Sequence, residues 1–304
     1  MGRYLERAEI VSNWSMEGVV APREGFQHEQ ELRSRIQNVQ GPLFYPISVG
    51  DRPEPAFRSE IAHILDSCDL LFYRPDLAFD AIWRACESEL RISFPLRDEK
   101  RPSELKRMIE LSRYLPAGLV GEAWRTAPGR VLEYVAKRLI PSDGESGFSS
   151  WGSNKVRNRM KNEASSDWSV FEIAFSSKYS ERSGDNVRNA ALLLRRVLIG
   201  EPAEIEGVSL SIHPEDSAKL LIAGFMYELR NDRVHSSGMP IHLSSRATIK
   251  VYSVRLFGII LANSLIGIMW MNRMRDSGLT EKHILELQEK NLTVMKNLMQ
   301  GGWR

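Results

Sequence analysis

The feature that most constrains the fold is an apolar stretch near the carboxyl end, Leu256 to Met271, which reads LFGIILANSLIGIMWM. Its length of about 16 residues is below the ~20 that a helix needs to cross a bilayer. Asn263 and Ser264 also interrupt it. A helix that is apolar on all sides lies either in a protein core or in a membrane. We therefore expect a buried central helix at about 245–275, with membrane insertion as the alternative.

Apolar residues recur at helical spacing through the chain from Phe57 onward. The first helix is expected to bury Ile61, Ile64, Leu65, Cys68, Leu71 and Phe72. Further helices are predicted at about 75–90, 102–114, 128–140, 154–162, 167–180, 186–199, 214–235 and 280–299, with a loop or short hairpin at 200–213. This pattern predicts an all-α protein, a multi-helix bundle.

Residues 1–55 differ from the rest because glycine and proline punctuate them repeatedly. One short helix is plausible there, from about Gln27 to Val39. We assign 1–55 to an irregular N-terminal arm packed on the main body and 56–304 to one helical domain. The 304 residues, 42% of them hydrophobic, are enough to bury a large core.

The net charge and the two cysteines limit the classes of function that we expect for this protein. The net charge of +2 is too small for nucleic-acid binding through charge alone. The 30 arginines against 11 lysines are compatible with bidentate phosphate contacts, although a codon bias toward arginine would give the same count. Cys68 and Cys86 show no metal-binding spacing, so we expect reduced thiols, no metal and no cofactor. No apolar run follows the charged N-terminus, so we expect a cytoplasmic protein without a cleaved signal peptide.

One segment at the end of a predicted helix, Tyr227 to His235, could carry chemistry. Histidine titrates near neutrality, so His235 could move the proton when a 2′-hydroxyl attacks its neighbouring phosphate. Arg230 would stabilise the negative charge that develops, and Asn231 could orient the phosphate or the imidazole. This reaction needs no metal and leaves a 2′,3′-cyclic phosphate and a 5′-hydroxyl. Five helical positions turn the chain by about 140°, so the two side chains would not touch on one regular helix. Arg230 and His235 could still line one cleft formed with a second helix, and the helix end also lets His235 swing from its helical direction.

The spacing of these two residues is not specific by itself. Three such pairs occur, Arg23/His28, Arg58/His63 and Arg230/His235, where roughly 0.6 would be expected by chance. Only the third ends a predicted helix and has an asparagine after the arginine. The alternative is a structural pair, because cations are favoured at the carboxyl end of a helix. The isolated His63 and His213 are interpreted as structural.

The run from Arg230 to His235 resembles the R-x4–6-H motif of the HEPN ribonucleases, in which a polar residue such as asparagine commonly follows the arginine. The segment from Arg74 to Glu87 also looks like the early helix of larger HEPN domains. The resemblance covers about residues 57–275, within the helical domain 56–304. It implies an endoribonuclease with catalytic Arg230, Asn231 and His235, in a homodimer whose two motifs form one composite cleft.

The same resemblance implies a toxin or antiviral role, with RNA as substrate and a neutralising protein as a partner. A basic stretch beside Trp151 and Trp168 could hold single-stranded RNA by charge and stacking. The predicted RNA-binding residues are Lys155, Arg157 and Arg159 in that stretch and Arg233 in the motif. A solvated helix face is the alternative for the stretch. The alternative for the whole protein is a non-catalytic helical module that binds RNA or a partner protein.

Overall fold

A computed structural model describes residues 27–50, 52–95, 103–141, 148–205, 207–235, 248–300 and 302, with the backbone alone at 148–154 and 233–235. Within these ranges the protein is mostly helical, and a single two-stranded antiparallel hairpin interrupts the helices. The prediction of an all-α bundle is therefore confirmed at the level of fold class.

The first half of the bundle is built from short and medium helices. Both α2 and α3 carry proline in their first turn, where its missing N–H costs nothing, and a short turn joins them so that they pack as a pair. The helices are α1 (Gln27–Gln37), α2 (Pro55–Leu71), α3 (Pro75–Ser93), α4 (Glu104–Ser112), α5 (Ala117–Thr126) and α6 (Gly129–Leu139). The sequence did not predict α5, whose Gly118 and Gly121 disfavour an isolated helix; burial of Trp124 against its neighbours stabilises it.

The second half contains the hairpin and the longest helices. Strand β1 pairs with β2, where the sequence left a loop or a hairpin open. The elements are α7 (Phe148–Glu163), α8 (Ser166–Lys178), α9 (Gly184–Leu198), β1 (Ala203–Ile205), β2 (Val208–Leu210), α10 (Pro214–Lys219), a π-helical segment (Leu220–Met226), α11 (Tyr227–His235), α12 (Lys250–Arg273) and α13 (Glu281–Met299). Their boundaries lie within a few residues of the predicted ones, except that α7 begins earlier and α12 begins later.

Helix α12 forms the centre of the core. By length and composition it could cross a membrane, yet 83% of its most apolar window is buried inside the protein. It packs on α3 and α13, and side chains from Leu256 to Trp270 are buried along its whole length. Burial on all sides explains an apolar sequence on all sides. The prediction of a central core helix is confirmed, and the structure is compatible with a soluble protein.

Two buried asparagines hold the extended segment that follows α1 against the core. The Ile47 N–H donates to Asn263 Oδ1 at 2.8 Å, and the Tyr45 N–H donates to Asn291 Oδ1 at 2.8 Å. Asn291 Nδ2 donates in return to the Tyr45 carbonyl at 2.9 Å. The polar interruption of the apolar stretch therefore satisfies backbone groups that would otherwise be buried without partners. The part of this segment that the structure describes, 38–50, is thereby held on the body.

The predicted buried face of α2 is only partly right. Leu65 is 56% exposed and Phe72 is 42% exposed, whereas Glu60 and Ser67 are buried. The spacing of apolar residues did not reveal this face, because Glu60 is buried together with polar partners from other helices. Cys86 is buried, Cys68 is half-buried, and both are free thiols.

Candidate functional site

The candidate motif lies at the end of a helix that runs from Pro214 to His235 through a π-helical segment. The His213 imidazole begins it by accepting a hydrogen bond from the Glu215 N–H at 3.3 Å, so the structural interpretation of His213 holds. A π-helical turn contains one more residue than an α-helical turn, so it rotates every side chain that follows it. The direction in which α11 presents its side chains therefore depends on this segment.

Close packing fixes α11 against the core just before the motif. A Cβ atom on Gly258 of α12 would lie 2.8 Å from Leu229 Cδ2 and 2.9 Å from Phe79 Cε2. Glycine is needed there because no larger residue fits between α11, α12 and α3. Arg255 also donates to the Leu229 carbonyl at 3.0 Å. The residue after Leu229 is thereby held beside α3.

Arg230 is held by an acidic pair from two other helices. Its Nε lies 3.2 Å from Glu87 Oε1 on α3, and its Nη2 lies 3.7 Å from Glu104 Oε2 on α4. Its Nη1 donates to Asn231 Oδ1 at 3.3 Å. The Arg230 side chain is 26% exposed, so part of it remains open to solvent. The structure thus brings Arg230 and Asn231 together.

The pKa values of the two acids shift in opposite directions. Burial, and a hydrogen bond shared with Glu104, raise the pKa of Glu87 above its usual value. Burial also acts to raise the pKa of Glu104, but hydrogen bonds from Arg91 and Glu87 outweigh it and lower that pKa. Arg91 donates to Glu104 at 2.6 Å. Burial and the shared hydrogen bond therefore move the pKa values of Glu87 and Glu104 apart.

Asp232 fixes the opposite side of the motif. It accepts hydrogen bonds from the Tyr134 hydroxyl at 2.7 Å and from Arg138, both on α6. Burial raises the pKa of Tyr134 well above its usual value, so its hydroxyl keeps its proton and remains a donor. Arg230 and Asp232 are two positions apart and point in roughly opposite directions. Helix α11 is therefore tied to α3 and α4 on one side and to α6 on the other.

The structure gives the backbone of Arg233 and His235 in the last turn of α11, whereas their side chains fall outside the described part of the chain. Residues 236–247, which follow the motif, are likewise outside it. The predicted convergence of Arg230 and His235 thus stays a prediction. Among the described residues, no group of three or more His, Cys, Asp or Glu side chains could hold a metal ion.

The other predicted RNA-binding residues that the structure describes lie on α7, in different environments. Lys155 is exposed on α7, and Arg157 pairs with Glu172 at 3.0 Å. Arg159 is only 10% exposed, and its guanidinium lies 2.9 Å from the buried carboxylate of Glu228. It also donates to the Ala223 carbonyl in the π-helical segment. These contacts account for Arg159 as a packing residue.

Trp168, one of the two tryptophans beside the predicted RNA-binding stretch, is not available for stacking on a base. This side chain is 1% exposed and packs against Phe171 in the core. The side chain of Trp151 is outside the described residues. The sequence could not distinguish a buried tryptophan from an exposed one because both occur at helical spacing.

The sequence also missed the partners of Arg230. Trp83, Glu87 and Arg91 are spaced by four on α3, so they share one face. Trp83 Nε1 donates to Glu87 Oε1 at 2.7 Å, which orients that carboxyl toward Arg230. The spacing was a visible signal, but nothing in it indicated that Glu104 and Arg230 would lie opposite that face.

The chain matches no family model, no curated protein and no solved structure. The resemblance to HEPN ribonucleases therefore depends on the motif and its helical setting.

Proposed function

We propose that this protein is a metal-independent endoribonuclease of the HEPN kind. The observation that carries the proposal is the held geometry of Arg230, whose side chain is 26% exposed and hydrogen-bonded to Asn231. A guanidinium fixed by Glu87 and Glu104 loses little conformational entropy when it binds phosphate, and such preorganisation favours stabilisation of a transition state.

The proposed reaction is attack of a ribose 2′-hydroxyl on the adjacent phosphorus. The O2′–P bond forms, the P–O5′ bond breaks, and the products are a 2′,3′-cyclic phosphate and a 5′-hydroxyl. His235 acts as the general acid/base for the proton that moves between these oxygens. Arg230 stabilises the charge on the non-bridging oxygens, and Asn231 orients the phosphate or the imidazole. Arg233, Lys155 and Arg157 remain proposed contacts to RNA.

The proposal extends to assembly and setting. The enzyme acts in the cytoplasm as a homodimer in which two copies of α11 form one composite cleft. Its role is that of a toxin or an antiviral effector, controlled by a neutralising partner protein. The five-position spacing supports a composite cleft, because one regular helix directs Arg230 and His235 about 140° apart.

Cleavage of an end-labelled RNA by purified protein tests the proposal. We expect His235→Ala to reduce the cleavage rate by at least 100-fold, the usual scale of general acid/base catalysis, and Arg230→Ala to do the same. His283→Ala, an exposed histidine on α13, is the matched control and should cleave normally. EDTA should have no effect, and mass spectrometry should find 2′,3′-cyclic ends. Full activity of His235→Ala, or strict dependence on magnesium, would remove the proposal.

A non-catalytic helical module that binds RNA or a partner protein is the second candidate. The pairing of Arg230 with two carboxylates favours it, because a structural arginine has the same contacts. Expression in a growing cell separates the candidates. Growth arrest by the wild type that Arg230→Ala relieves, in a variant that still folds, supports the enzyme. Equal growth with both proteins supports the module.

A further inference from the structure

An open depression of about 450 Å³ lies on the surface where α2 packs on α3, next to the acidic partner of Arg230. Its walls are formed by one residue of α2 and five residues of α3. These are His63, Arg84, Glu87, Ser88, Arg91 and Ile92. Because Arg84, Ser88 and Arg91 are spaced by three and four, they lie on one face of α3.

The cationic groups of the depression face solvent. Arg84 is exposed and makes no ion pair or hydrogen bond within the described ranges. The Arg91 side chain is 59% exposed, and its Nη2 lies 2.6 Å from Glu104 Oε1 and 3.8 Å from Glu87 Oε2. His63, interpreted from the sequence as structural, is 30% exposed, and its Nδ1 lies 3.8 Å from Asp66 Oδ2. Several N–H donors are thus left for an anion.

The acidic group of the depression is already engaged. Glu87 is 15% exposed, and its Oε1 accepts from Trp83 and lies 3.2 Å from Arg230 Nε. Its carboxyl shares a hydrogen bond with Glu104, which lies between Arg91 and Arg230. The solvent face of the depression therefore has an excess of positive charge.

The depression and Arg230 are neighbours because both contact the same carboxyl group. An RNA strand whose scissile phosphate lies at Arg230 would pass an adjacent phosphate over Glu87. Arginine binds phosphate oxygens in a bidentate manner and does so best when no protein carboxylate competes for it. Arg84 meets that condition among the described residues, and Arg91 can use its remaining donors.

We propose that this depression is a phosphate subsite for single-stranded RNA, a deepening that rests on the proposed ribonuclease function. Arg84 and Arg91 bind the non-bridging oxygens of one phosphate next to the scissile one. The His63 imidazole adds a hydrogen bond, and the exposed side chain of Ile92 packs against the ribose. The subsite positions the strand and takes no part in proton transfer, so its loss should raise KM and leave kcat nearly unchanged.

Fluorescence anisotropy with a labelled 2′-O-methyl RNA tests the subsite separately from cleavage, because this probe has no 2′-hydroxyl to react. We expect Arg84→Ala to weaken binding about tenfold, within the range for a charge-assisted hydrogen bond. The slope of log Kobs against log salt should become shallower by about 0.7, the value for one phosphate contact on a single strand. His63→Ala should weaken binding by about threefold.

Arg188→Ala is the matched control. Arg188 lies on α9, is 65% exposed, and within the described part of the chain forms an ion pair only with Asp185 on its own helix, so binding should change by less than twofold. If Arg84→Ala and Arg188→Ala bind alike, or the wild type does not bind the probe, the subsite is overturned. Binding that depends on Arg84 in a protein that cleaves no RNA would remove the ribonuclease and keep the subsite. Cleavage with an Arg84-independent KM would do the opposite.

Discussion

At the scale of single residues, the interior contains a second pair of carboxyl groups, Glu60 on α2 and Glu89 on α3, both fully buried. Arg273 donates to both oxygens of Glu89, at 2.8 and 2.6 Å. Glu60 accepts from Trp270 at 3.1 Å and from Ser88 at 3.0 Å. Burial, with the charge of Glu89, raises the pKa of Glu60 to about 7. Because the single Arg273 lies beside both Glu89 and Glu60, the interior favours the protonated form of Glu60.

This pair predicts a pH dependence of stability. The pKa of Glu60 is raised from 4.5 to about 7 on folding, so the folded protein binds more protons between these values. The free energy of unfolding should therefore fall as pH rises from about 4.5 through 7, by roughly 3 kcal/mol for this group. Glu60→Gln carries no charge and should remove that slope. Urea denaturation at pH 5, 6, 7 and 8 measures it.

Glu122→Gln is the control for that experiment, because Glu122 pairs with Arg125 on the surface of α5. Its slope should equal that of the wild type. An identical slope in wild type and Glu60→Gln would show that Glu60 does not titrate in this range.

At the scale of elements, the π-helical segment Leu220–Met226 decides how the motif helix is presented. The wider turn leaves the Ala223 carbonyl available, and this carbonyl accepts a hydrogen bond from Arg159 of α7. The Arg159 guanidinium also lies 2.9 Å from the carboxylate of Glu228, in the first turn of α11. One arginine therefore connects the middle of the π-helical segment to the start of the helix that carries Arg230. The sequence predicted one uninterrupted helix here, because a π turn leaves no separate mark on apolar spacing.

Replacing Arg159 by methionine should destabilise the protein by about 3 kcal/mol, since a buried Glu228 would remain without its partner. Adding Glu228→Gln to Arg159→Met should recover a large part of that loss. Urea denaturation at pH 7 measures both. Lys161→Met, on the exposed face of the same helix, should change the free energy of unfolding by less than about 0.5 kcal/mol. Equal effects of Arg159→Met and Lys161→Met would contradict the packing role of Arg159.

At the scale of the whole molecule, the extended segment after α1 joins the bundle through hydrogen bonds far apart in sequence. Asn263 and Asn291, on α12 and α13, bind the backbone of Tyr45 and Ile47. Arg35 of α1 also donates to the carbonyl of Leu298 at the end of α13, at 3.1 Å. These contacts make the described part of the arm a component of the core and not an appendage.

Asn291→Ala should therefore lower the free energy of unfolding by about 2 kcal/mol, because both polar groups of Tyr45 lose a buried partner. Limited proteolysis should also cut faster within residues 38–50 in this variant. Thr293→Ala, two positions along the same helix and exposed, should leave both measurements unchanged. A variant with wild-type stability and a protected arm would show that the segment is held by its side chains alone.

The sequence by itself determined the helices and the central place of α12, because apolar periodicity and continuous apolarity are local properties of a chain. It also indicated Arg230 and Asn231 at a helix end, where the structure has them. Only the tertiary structure decided that Glu87 and Glu104 hold Arg230, that Arg159 faces inward, and that Leu65 faces solvent. Each of these depends on which helices lie opposite one another. Such contacts join residues that are far apart in sequence, and local spacing carries no record of them.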